Sequence, residues 1–538
     1  MRSLLCCAAL LVVLSAFSQR DMEESHTHQH AAEKLGTVSF PTSCAPAVQK
    51  TFERGVALLH SFMYDEAKRQ FTEIKRRDAR CAMAHWGSIM SASDFWSEVP
   101  PDVLKRANAE IRQAKALHST PRERAYIAAL AAFYEEGQHD HAARAKALAE
   151  GMAMVHRDYP DDLDGAAFYA LALLASAPPN DTSFINAKQA IAILDPLFAR
   201  YPNHPGLAHY LIHVCDAPQL APLGLDAARR YAAIAPSSAH ALHMPSHIFA
   251  RLGMWQEDIQ SNLASITAAR QRVAMHRGGE VDQLHATDFL VYALLQVGGD
   301  KSASSLVEGV PAVVAGISNP KKRKGLIWTE AHFPALFALE AHHWTDAAAL
   351  MPPPNATPRV ATETYWARTF GAARIGDAEG ARKDAVQYEA LLDQLRHSDK
   401  SYLVQYLDLE HDEVLAWRDF AEKKNEAAVQ LMRSVADRQD ARGKEEVALP
   451  AREMLADMLL ELNHPEAALA EYEQSMKIDP NRFNALYGAG RAAELTHQRE
   501  KARSYYAALV KNCKGSKSDR PELARARAAL EDNNTDAK

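Results

Sequence analysis

An internal period of 34 residues restricts the fold of this 538-residue chain more than any other feature of its sequence. Pro202 and Pro236 are one period apart, and so are the aromatic residues Tyr472 and Tyr506. A period of this length is typical of repeated helical hairpins, and a single hairpin cannot bury its apolar face alone. We therefore expect a stack of hairpins that share one continuous core.

Landmarks within the period match the pattern of tetratricopeptide (TPR) repeats, in which a small residue, an alanine and an aromatic residue follow one another at fixed spacings. Three sets have the same spacings: Gly55, Ala67 and Phe71; Ala456, Ala468 and Tyr472; and Gly490, Ala502 and Tyr506. The chain resembles TPR proteins over almost its whole mature length. That resemblance implies an all-α protein, a right-handed α-solenoid of about twelve hairpins with a cap helix near 520–531.

The first eighteen residues have the pattern of a secretory signal peptide. Arg2 precedes an apolar stretch from Leu4 to Phe17, and the residues at 16–18 resemble a small-x-small cleavage site. The apolar stretch is too short to span a bilayer comfortably. No later segment approaches eighteen uninterrupted apolar residues, so we expect a periplasmic or secreted protein without a transmembrane segment after cleavage.

Beyond the signal peptide at 1–18, five further segments are expected. They are a polar, histidine-containing segment (19–45), N-terminal TPR-like hairpins (46–200), histidine-rich hairpins (201–300), degenerate hairpins (301–447) and C-terminal hairpins with the cap helix (448–531). The polar segment includes HTHQH at 26–30, an incidental metal-binding tract. A net charge of −7 offers no basic face, which excludes nucleic acid as the expected partner.

Export leaves four cysteines in the mature chain, and two of them flank the first predicted hairpin. Because an oxidising compartment permits disulfides, we expect a bond between Cys44 and Cys81. Cys215 lies within a predicted helix and is interpreted as a small buried apolar residue. No cysteine has the surroundings of a nucleophile.

Two histidine pairs also recur at the 34-residue period. His209 and His213 lie in AHYLIH, and His243 and His247 lie in HALHMPSH. An i,i+4 spacing places both imidazoles of a pair on one helical face, and the period places the second pair at the same depth in the next hairpin. The four imidazoles are thus expected to converge. Pro245, between the members of the second pair, predicts a kink or a helix that starts only at that point.

Turn glycines set the register of these histidines. If Gly253 ends the first helix of its repeat, that helix carries histidines at its second, fifth and ninth positions, which face the concave groove in TPR proteins. If Gly298 marks the next turn, the same positions hold His285, Asp288 and Tyr292. Three successive helices would then present histidine, carboxylate and phenol groups to one groove.

This register predicts a transition-metal site. The predicted ligands are His209, His213, His243 and His247, with His285 as a substitute or fifth ligand. Asp216 and Asp288 are expected to orient the imidazoles, His240 to line the groove, and Tyr210 and Tyr292 to face a substrate. A histidine-rich site poor in thiolates suits copper, zinc, iron or nickel, and the spacing does not choose among them.

Longer stretches resemble a group of exported bacterial TPR proteins with histidine-rich repeats. HPGLAHYLIH and HALHMPSHIFARLGMW carry this resemblance in the middle of the chain, and FPTSC and CAMAHWG carry it near the N-terminus. The resemblance implies an exported solenoid that shares the histidine-bearing repeats, and it brings no reaction with it.

Three functions are compatible with these features. The first is a binding or scaffold protein whose groove holds a transition metal, and the second is a metalloenzyme in which that ion keeps an open coordination position. The third is a metal-free scaffold whose concave groove binds a peptide or protein, as TPR arrays commonly do. Phosphate-binding loops, G-x-S-x-G elbows and HExxH motifs are absent from the sequence.

Overall fold

All regular structure in the described part of the chain is helical. The computed structural model describes residues 33–92, 95–96, 98–135, 140–178, 181–398, 403–404, 407–443 and 447–535. These residues form one short 3-10 turn at Pro46–Val48 and twenty-seven α-helices. The predicted all-α class is confirmed. The predicted signal peptide at 1–18 and the HTHQH tract lie outside the described residues.

The first thirteen α-helices extend from the N-terminal hairpins into the histidine-rich hairpins. They are α1 Gln49–His60, α2 Tyr64–Arg77, α3 Ala82–Met90, α4 Pro101–Ala116, α5 Pro121–Phe133, α6 His141–Asp158, α7 Leu163–Ala175, α8 Ile185–Arg200, α9 Pro205–Val214, α10 Ala221–Ile234, α11 Ala239–His243, α12 Pro245–Arg251 and α13 Trp255–Ala274.

The remaining helices complete the solenoid. They are α14 Glu280–Gln296, α15 Asp300–Ala315, α16 Pro320–Gly325, α17 Thr329–Glu340, α18 Trp344–Ala349, α19 Pro358–Arg374, α20 Ala378–Arg396, α21 Asp408–Ala421, α22 Asn425–Arg442, α23 Ala451–Glu461, α24 Pro465–Ile478, α25 Phe483–Leu495, α26 Arg499–Asn512 and α27 Pro521–Thr535. Within the described ranges, none of these helices combines the length and the apolarity that crossing a lipid bilayer requires.

Consecutive helices pack as twelve TPR-like hairpins. Eleven hairpins pair two successive helices, from α1 with α2 to α25 with α26, while α11 and α12 together form the first arm of the sixth hairpin against α13. The short helix α16 lies in the connection before the eighth hairpin, and α27 packs on the last hairpin as a cap. The predicted α-solenoid and its approximate hairpin number agree with this arrangement.

The small residues of the repeat receive the aromatic rings of the neighbouring helix. A Cβ atom added at Gly55 would lie 2.8 Å from Phe71 Cζ, and one added at Gly87 would lie 2.3 Å from Phe71 Cδ1. The same relation recurs at the C-terminus, where a Cβ atom at Gly490 would lie 2.4 Å from Tyr506 Cε1. Because these gaps are shorter than any van der Waals contact between carbon atoms, the helices can approach only where the sequence supplies glycine.

Distant hairpins also meet, so contacts in the solenoid are not limited to neighbouring repeats. Trp255 at the start of α13 donates from Nε1 to the carbonyl oxygen of Asn481 at 2.8 Å, across 226 residues of sequence. At the other end of α13, Arg272 binds Glu66 in α2 at 3.0 Å. Arg482, which has no exposed surface, lies 2.7 Å from Glu340. Helix α13 is therefore held by residues from both ends of the chain, and α17 is held by Arg482.

Residues 33–45 run as an extended strap along the same central hairpins. The Lys34 amide donates to Ser237 Oγ at 2.8 Å, and the Thr37 amide donates to the carbonyl oxygen of Asn203, also at 2.8 Å. At its far end, a disulfide joins Cys44 to Cys81. The strap thus connects the first hairpins with the loops that precede α9 and α11.

Candidate metal centre

Six histidines gather where α9, α11, α12 and α14 meet. They form two groups of three, and within each group one ring nitrogen of every residue lies within 4.8 Å of the others. The N-side triad consists of His209, His213 and His240, and the C-side triad consists of His243, His247 and His285. All five predicted ligands belong to this cluster, together with His240, which was expected only to line the groove.

The single four-imidazole site predicted from the spacing is replaced by two adjoining triads. His240 and His243 lie one turn apart on α11. His240 Nε2 lies 3.1 Å from His209 Nε2 on α9, whereas the ring centroid of His243 is 4.4 Å from that of His285 on α14. His240 therefore joins the pair on α9, whereas His243 joins His247 and the histidine of α14. The ring centroids of His213 and His247 are 6.3 Å apart, so the two triads share a boundary.

The break before Pro245 sets the direction of the second histidine pair. Helix α11 ends at His243, and α12 begins at Pro245, whose ring nitrogen has no hydrogen to continue the backbone ladder. Ser238 caps α11 by accepting a hydrogen bond from the Ala241 amide at 3.2 Å. Helix α11 begins at Ala239, so the late helix start, one of the two outcomes expected at this proline, does not occur. The backbone stays in the right-handed helical region at Met244 (φ −49°, ψ −35°), and the interruption at the proline agrees with the expected kink. His243 and His247 consequently belong to different helices.

In the C-side triad, two imidazoles direct their Nε2 atoms at each other. His243 Nδ1 donates to Asn262 Oδ1 at 2.6 Å, and the Asn262 amide nitrogen donates in turn to the carbonyl oxygen of Asp258. His247 Nδ1 donates to Asp216 Oδ2 at 2.8 Å. Both hydrogens are therefore on Nδ1 when the rings are neutral, and the two Nε2 lone pairs face each other at 3.0 Å.

A similar arrangement orders the N-side triad. His209 Nδ1 donates to the backbone carbonyl oxygen of His60 at 2.6 Å, which leaves a lone pair on its Nε2. That Nε2 atom lies 3.1 Å from His240 Nε2. His209 is completely buried, whereas His213 and His240 are partly exposed.

Burial keeps these imidazoles neutral. It lowers the pKa of His209, His240 and His243 well below the usual histidine value, and the neighbouring histidines lower it further. Neutral imidazoles are the form that binds transition metals. Two nitrogens on one tetrahedral ion with bonds of about 2.0–2.1 Å are about 3.3 Å apart. The observed separations of 3.0 and 3.1 Å are close to that value.

Asp216 holds His247 from behind, as the sequence predicted for this carboxylate. Its second oxygen accepts from Arg251 Nε at 3.0 Å, so the carboxylate is fixed between a cation and an imidazole. Carboxylate–histidine pairs of this kind orient metal ligands and increase their basicity.

One phenylalanine ring packs against each triad. The Phe62 ring centroid is 4.5 Å from that of His209 and 5.3 Å from that of His240. The Phe289 ring centroid is 4.8 Å from that of His243 and 4.6 Å from that of His247. These rings exclude water from one side of each triad, which strengthens electrostatic interactions there.

A fully buried group supports the N-side triad. His60 Nε2 lies 2.8 Å from Asp164 Oδ1, and His204 Nε2 lies 3.4 Å from the same oxygen. Burial alone would raise the pKa of Asp164. Hydrogen bonds from the two histidines outweigh burial and hold this pKa well below its usual value. Tyr210 contacts His60 through its hydroxyl at 3.1 Å. This group fixes the carbonyl group that orients His209.

Three predicted groove residues have other positions. Asp288 Oδ1 contacts His332 Nε2 in the next hairpin at 2.9 Å, so it does not orient any of the six histidines. Tyr292 is buried because the C-terminal hairpins pack over α14, and its hydroxyl contacts Arg482. Tyr210 is buried against His60. The expectation that Tyr210 and Tyr292 face a substrate in an open groove is therefore wrong.

Sequence reasoning missed Asn262, the carbonyl group of His60 and the two phenylalanines. Asn262 lies on the second helix of its hairpin, and His60 is 149 residues from the ring that it orients. No spacing rule connects such positions. The histidine in LLHSF at the end of α1 was the only available signal for His60.

The fold and the cluster define an all-α solenoid of TPR-like hairpins with a histidine cluster in its central repeats. No protein-family model and no curated protein sequence matches the chain. Solved structures with some similarity include a human IFIT1 dimer with PPP-AAAA, at 10% identity over 76% of this chain and 87% of that chain, with a TM-score of 0.34. The TPR domain of P58(IPK) has 14% identity over 72% of this chain and 99% of that chain, with a TM-score of 0.21. Similarity at this level carries no functional inference.

Proposed function

We propose that the chain is an exported TPR-type binding or scaffold protein that holds a transition metal at the six-histidine cluster. The observation that carries this proposal is the C-side pair, in which two Nε2 lone pairs face each other at 3.0 Å while both Nδ1 atoms donate to oxygen acceptors. Two lone pairs at this distance repel unless a cation lies between them. A metal ion removes that repulsion and adds two coordinate bonds.

The donor set favours a borderline metal. Every candidate ligand is an imidazole nitrogen, and the nearest carboxylate, Asp216, is already engaged with His247 and Arg251. Imidazole suits zinc, copper, iron and nickel, whereas calcium and magnesium require oxygen ligands.

A catalytic role is the second candidate, and the number of ligands favours it. Each triad supplies three histidines to an ion, as in catalytic zinc sites, which reserve a fourth position for water or substrate. His285 is exposed, so the C-side triad reaches the protein surface. An ion there would have access to solvent.

Export is part of the proposal and has independent support. The disulfide between Cys44 and Cys81 is a feature that persists in oxidising compartments and is rare in the cytosol. Mass spectrometry of the secreted or periplasmic protein would test it by finding the mature N-terminus near residue 19.

Metal analysis tests the proposal directly. Untagged protein with residues 26–30 deleted should contain near-stoichiometric copper, zinc, iron or nickel. This metal should be absent after His209 and His243, one histidine from each triad, are both changed to alanine. A matched control changes the exposed His343 and His397 instead and should retain the metal. If the parent protein contains no metal, even after reconstitution, the C-side pair shares a proton instead and the proposal fails.

A further inference from the structure

We propose that the six histidines hold two metal ions per chain, one in each triad, as an adjacent pair. This inference rests on the proposed metal-binding function and goes beyond it in stoichiometry and in the chemistry that an ion pair permits. Neither ion alone would use more than three of the six imidazoles.

The distances divide the ligands into threes. Two nitrogens bound to one ion by bonds of about 2.0–2.1 Å can be no more than about 4.2 Å apart. Ligand atoms fall within 4.8 Å of one another inside the N-side triad and, separately, inside the C-side triad. Small side-chain rotations would bring either set of three onto its own ion.

Each triad also has its own orienting groups. The carbonyl group of His60 fixes His209 on the N-side, whereas Asn262 and Asp216 fix the two imidazoles on the C-side. These groups come from different hairpins, namely the first, the fifth and the sixth. A single site would need only one such set, so the duplication indicates two separately built sites.

Each triad likewise has its own apolar wall and its own source of negative charge. Phe62 packs on the N-side triad and Phe289 on the C-side triad. Behind the N-side triad, ionised Asp164 lies next to His60, and behind the C-side triad Asp216 contacts His247. Asp216 would therefore stand directly behind a C-side ligand, whereas Asp164 would act on the N-side triad only through His60, whose carbonyl group orients His209.

The shared boundary makes the two sites an ion pair rather than two independent sites. The ring centroids of His240 and His243 are 6.3 Å apart, as are those of His213 and His247. Imidazole ligands bring no negative charge, so two divalent ions would carry four positive charges into the cluster. A small anion such as hydroxide, bound at the positions that the histidines do not fill, would reduce their repulsion.

Copper titration of the full-length protein without residues 26–30 tests this inference, because Cu²⁺ binds imidazole sites most tightly among the divalent first-row ions. After dialysis we expect two Cu²⁺ per chain. The His240→Asn variant should retain one ion, and so should the His285→Asn variant, whose changed side chain is exposed. The double variant should bind none, while the exposed-surface control His343→Asn should still bind two.

Electron paramagnetic resonance then tests adjacency. Fully loaded protein should give a dipolar-coupled Cu²⁺ spectrum, and each single variant should give the spectrum of an isolated ion. Sodium azide should change the fully loaded spectrum by occupying the remaining coordination positions.

The outcomes separate this inference from the proposed function. One ion per chain, lost in either single variant, would overturn the ion pair and leave the metal-binding function intact. Two ions without magnetic coupling would overturn adjacency. No bound copper would overturn both, and circular dichroism of each variant would establish that the fold is retained.

Discussion

The position of one hydrogen on each imidazole decides what the histidine cluster can bind. His247 and His243 both carry that hydrogen on Nδ1, because Asp216 and Asn262 accept it there. The histidine pairs and the orienting role of Asp216 were predicted from the sequence, because i,i+4 and 34-residue spacings can be read directly from it. It did not predict Asn262, because a partner on the opposite helix of a hairpin has no fixed spacing.

Removing the carboxylate behind His247 should weaken metal binding without removing a ligand. We expect Asp216→Ala to reduce metal affinity by about 10–100-fold, because an imidazole without its acceptor is less basic and less well oriented. Asp216→Asn should fall between this variant and the parent. Competition against a chromophoric chelator measures the change, with the exposed Asp226→Asn as the control. Equal affinities for Asp216→Ala and the parent would contradict the role assigned to Asp216.

His332, which lies outside the six-histidine cluster, should make the free energy of unfolding depend on pH. His332 lies between Glu363 at 2.6 Å and Asp288 at 2.9 Å. Burial lowers its pKa, but the two carboxylates outweigh burial and raise the pKa well above the usual histidine value. The charged form is therefore favoured by folding. Its contribution is fully present below about pH 6.5 and is lost as the pH rises through the elevated value.

Substitution of this histidine should accordingly matter most in mild acid. We expect His332→Gln to lower the free energy of unfolding by about 3 kcal/mol at pH 6, and by less at pH 9. Urea unfolding at both pH values measures the difference, with the exposed His397→Gln as the control. A cost that is equal at both pH values would show that His332 is not charged in the folded protein.

Among the elements of the fold, the hairpin was the most predictable. The hairpin was predicted from small and aromatic residues at fixed spacings. This spacing reflects a local steric requirement, because an aromatic ring of one helix packs against a small residue of the other. The interruption between α11 and α12 was predictable only as two alternatives at Pro245, since proline disrupts a helix without fixing the new direction. The division into two triads depends on which neighbouring helix each histidine of α11 faces, α9 or α14, and this could not be read from the sequence.

The steric requirement can be tested at two glycines. Gly87→Ala should lower the free energy of unfolding by about 1–3 kcal/mol, because the new methyl group would overlap the Phe71 ring. Gly309→Ala, in a helix where nothing lies within 4 Å of the new atom, should instead raise it by about 0.5–1 kcal/mol. Urea denaturation followed by circular dichroism measures both. Two changes of the same sign would contradict the proposed seating of Phe71.

At the scale of the whole molecule, the contacts between distant hairpins distinguish this chain from an open repeat array. Open arrays are stabilised by contacts between neighbouring repeats alone. Here Arg482, which also pairs with Glu453 of the neighbouring hairpin, joins the C-terminal hairpins to Glu340 in α17 of the eighth hairpin. The 34-residue period predicted stacking between neighbouring hairpins. It did not predict the contact between Arg482 and Glu340, because contacts between distant hairpins follow no period.

Loss of the buried guanidinium group of Arg482 should destabilise the contact between the eighth hairpin and the C-terminal hairpins. We expect Arg482→Met to lower the free energy of unfolding by about 3–5 kcal/mol, because Glu340 and Glu453 would remain buried without their cation. Arg499→Met, at an exposed position on the last hairpin, serves as the control and should have almost no effect. Thermal and urea unfolding measure both variants. A cost below 1 kcal/mol for Arg482→Met would show that the C-terminal hairpins are held by other contacts.

The contact between His209 and the carbonyl group of His60 also affects when, during folding, the histidines can bind a metal. His209 cannot reach its final orientation until the first hairpin meets the fifth, and closing a loop of that length is slow compared with forming any one hairpin. The N-side triad therefore becomes competent to bind only after the first hairpin has met the fifth, whereas the C-side triad is oriented by the fifth and sixth hairpins alone. Metal capture at the N-side triad would then report that these distant hairpins have met, and chains that have not reached this stage would leave scarce metal to those that have.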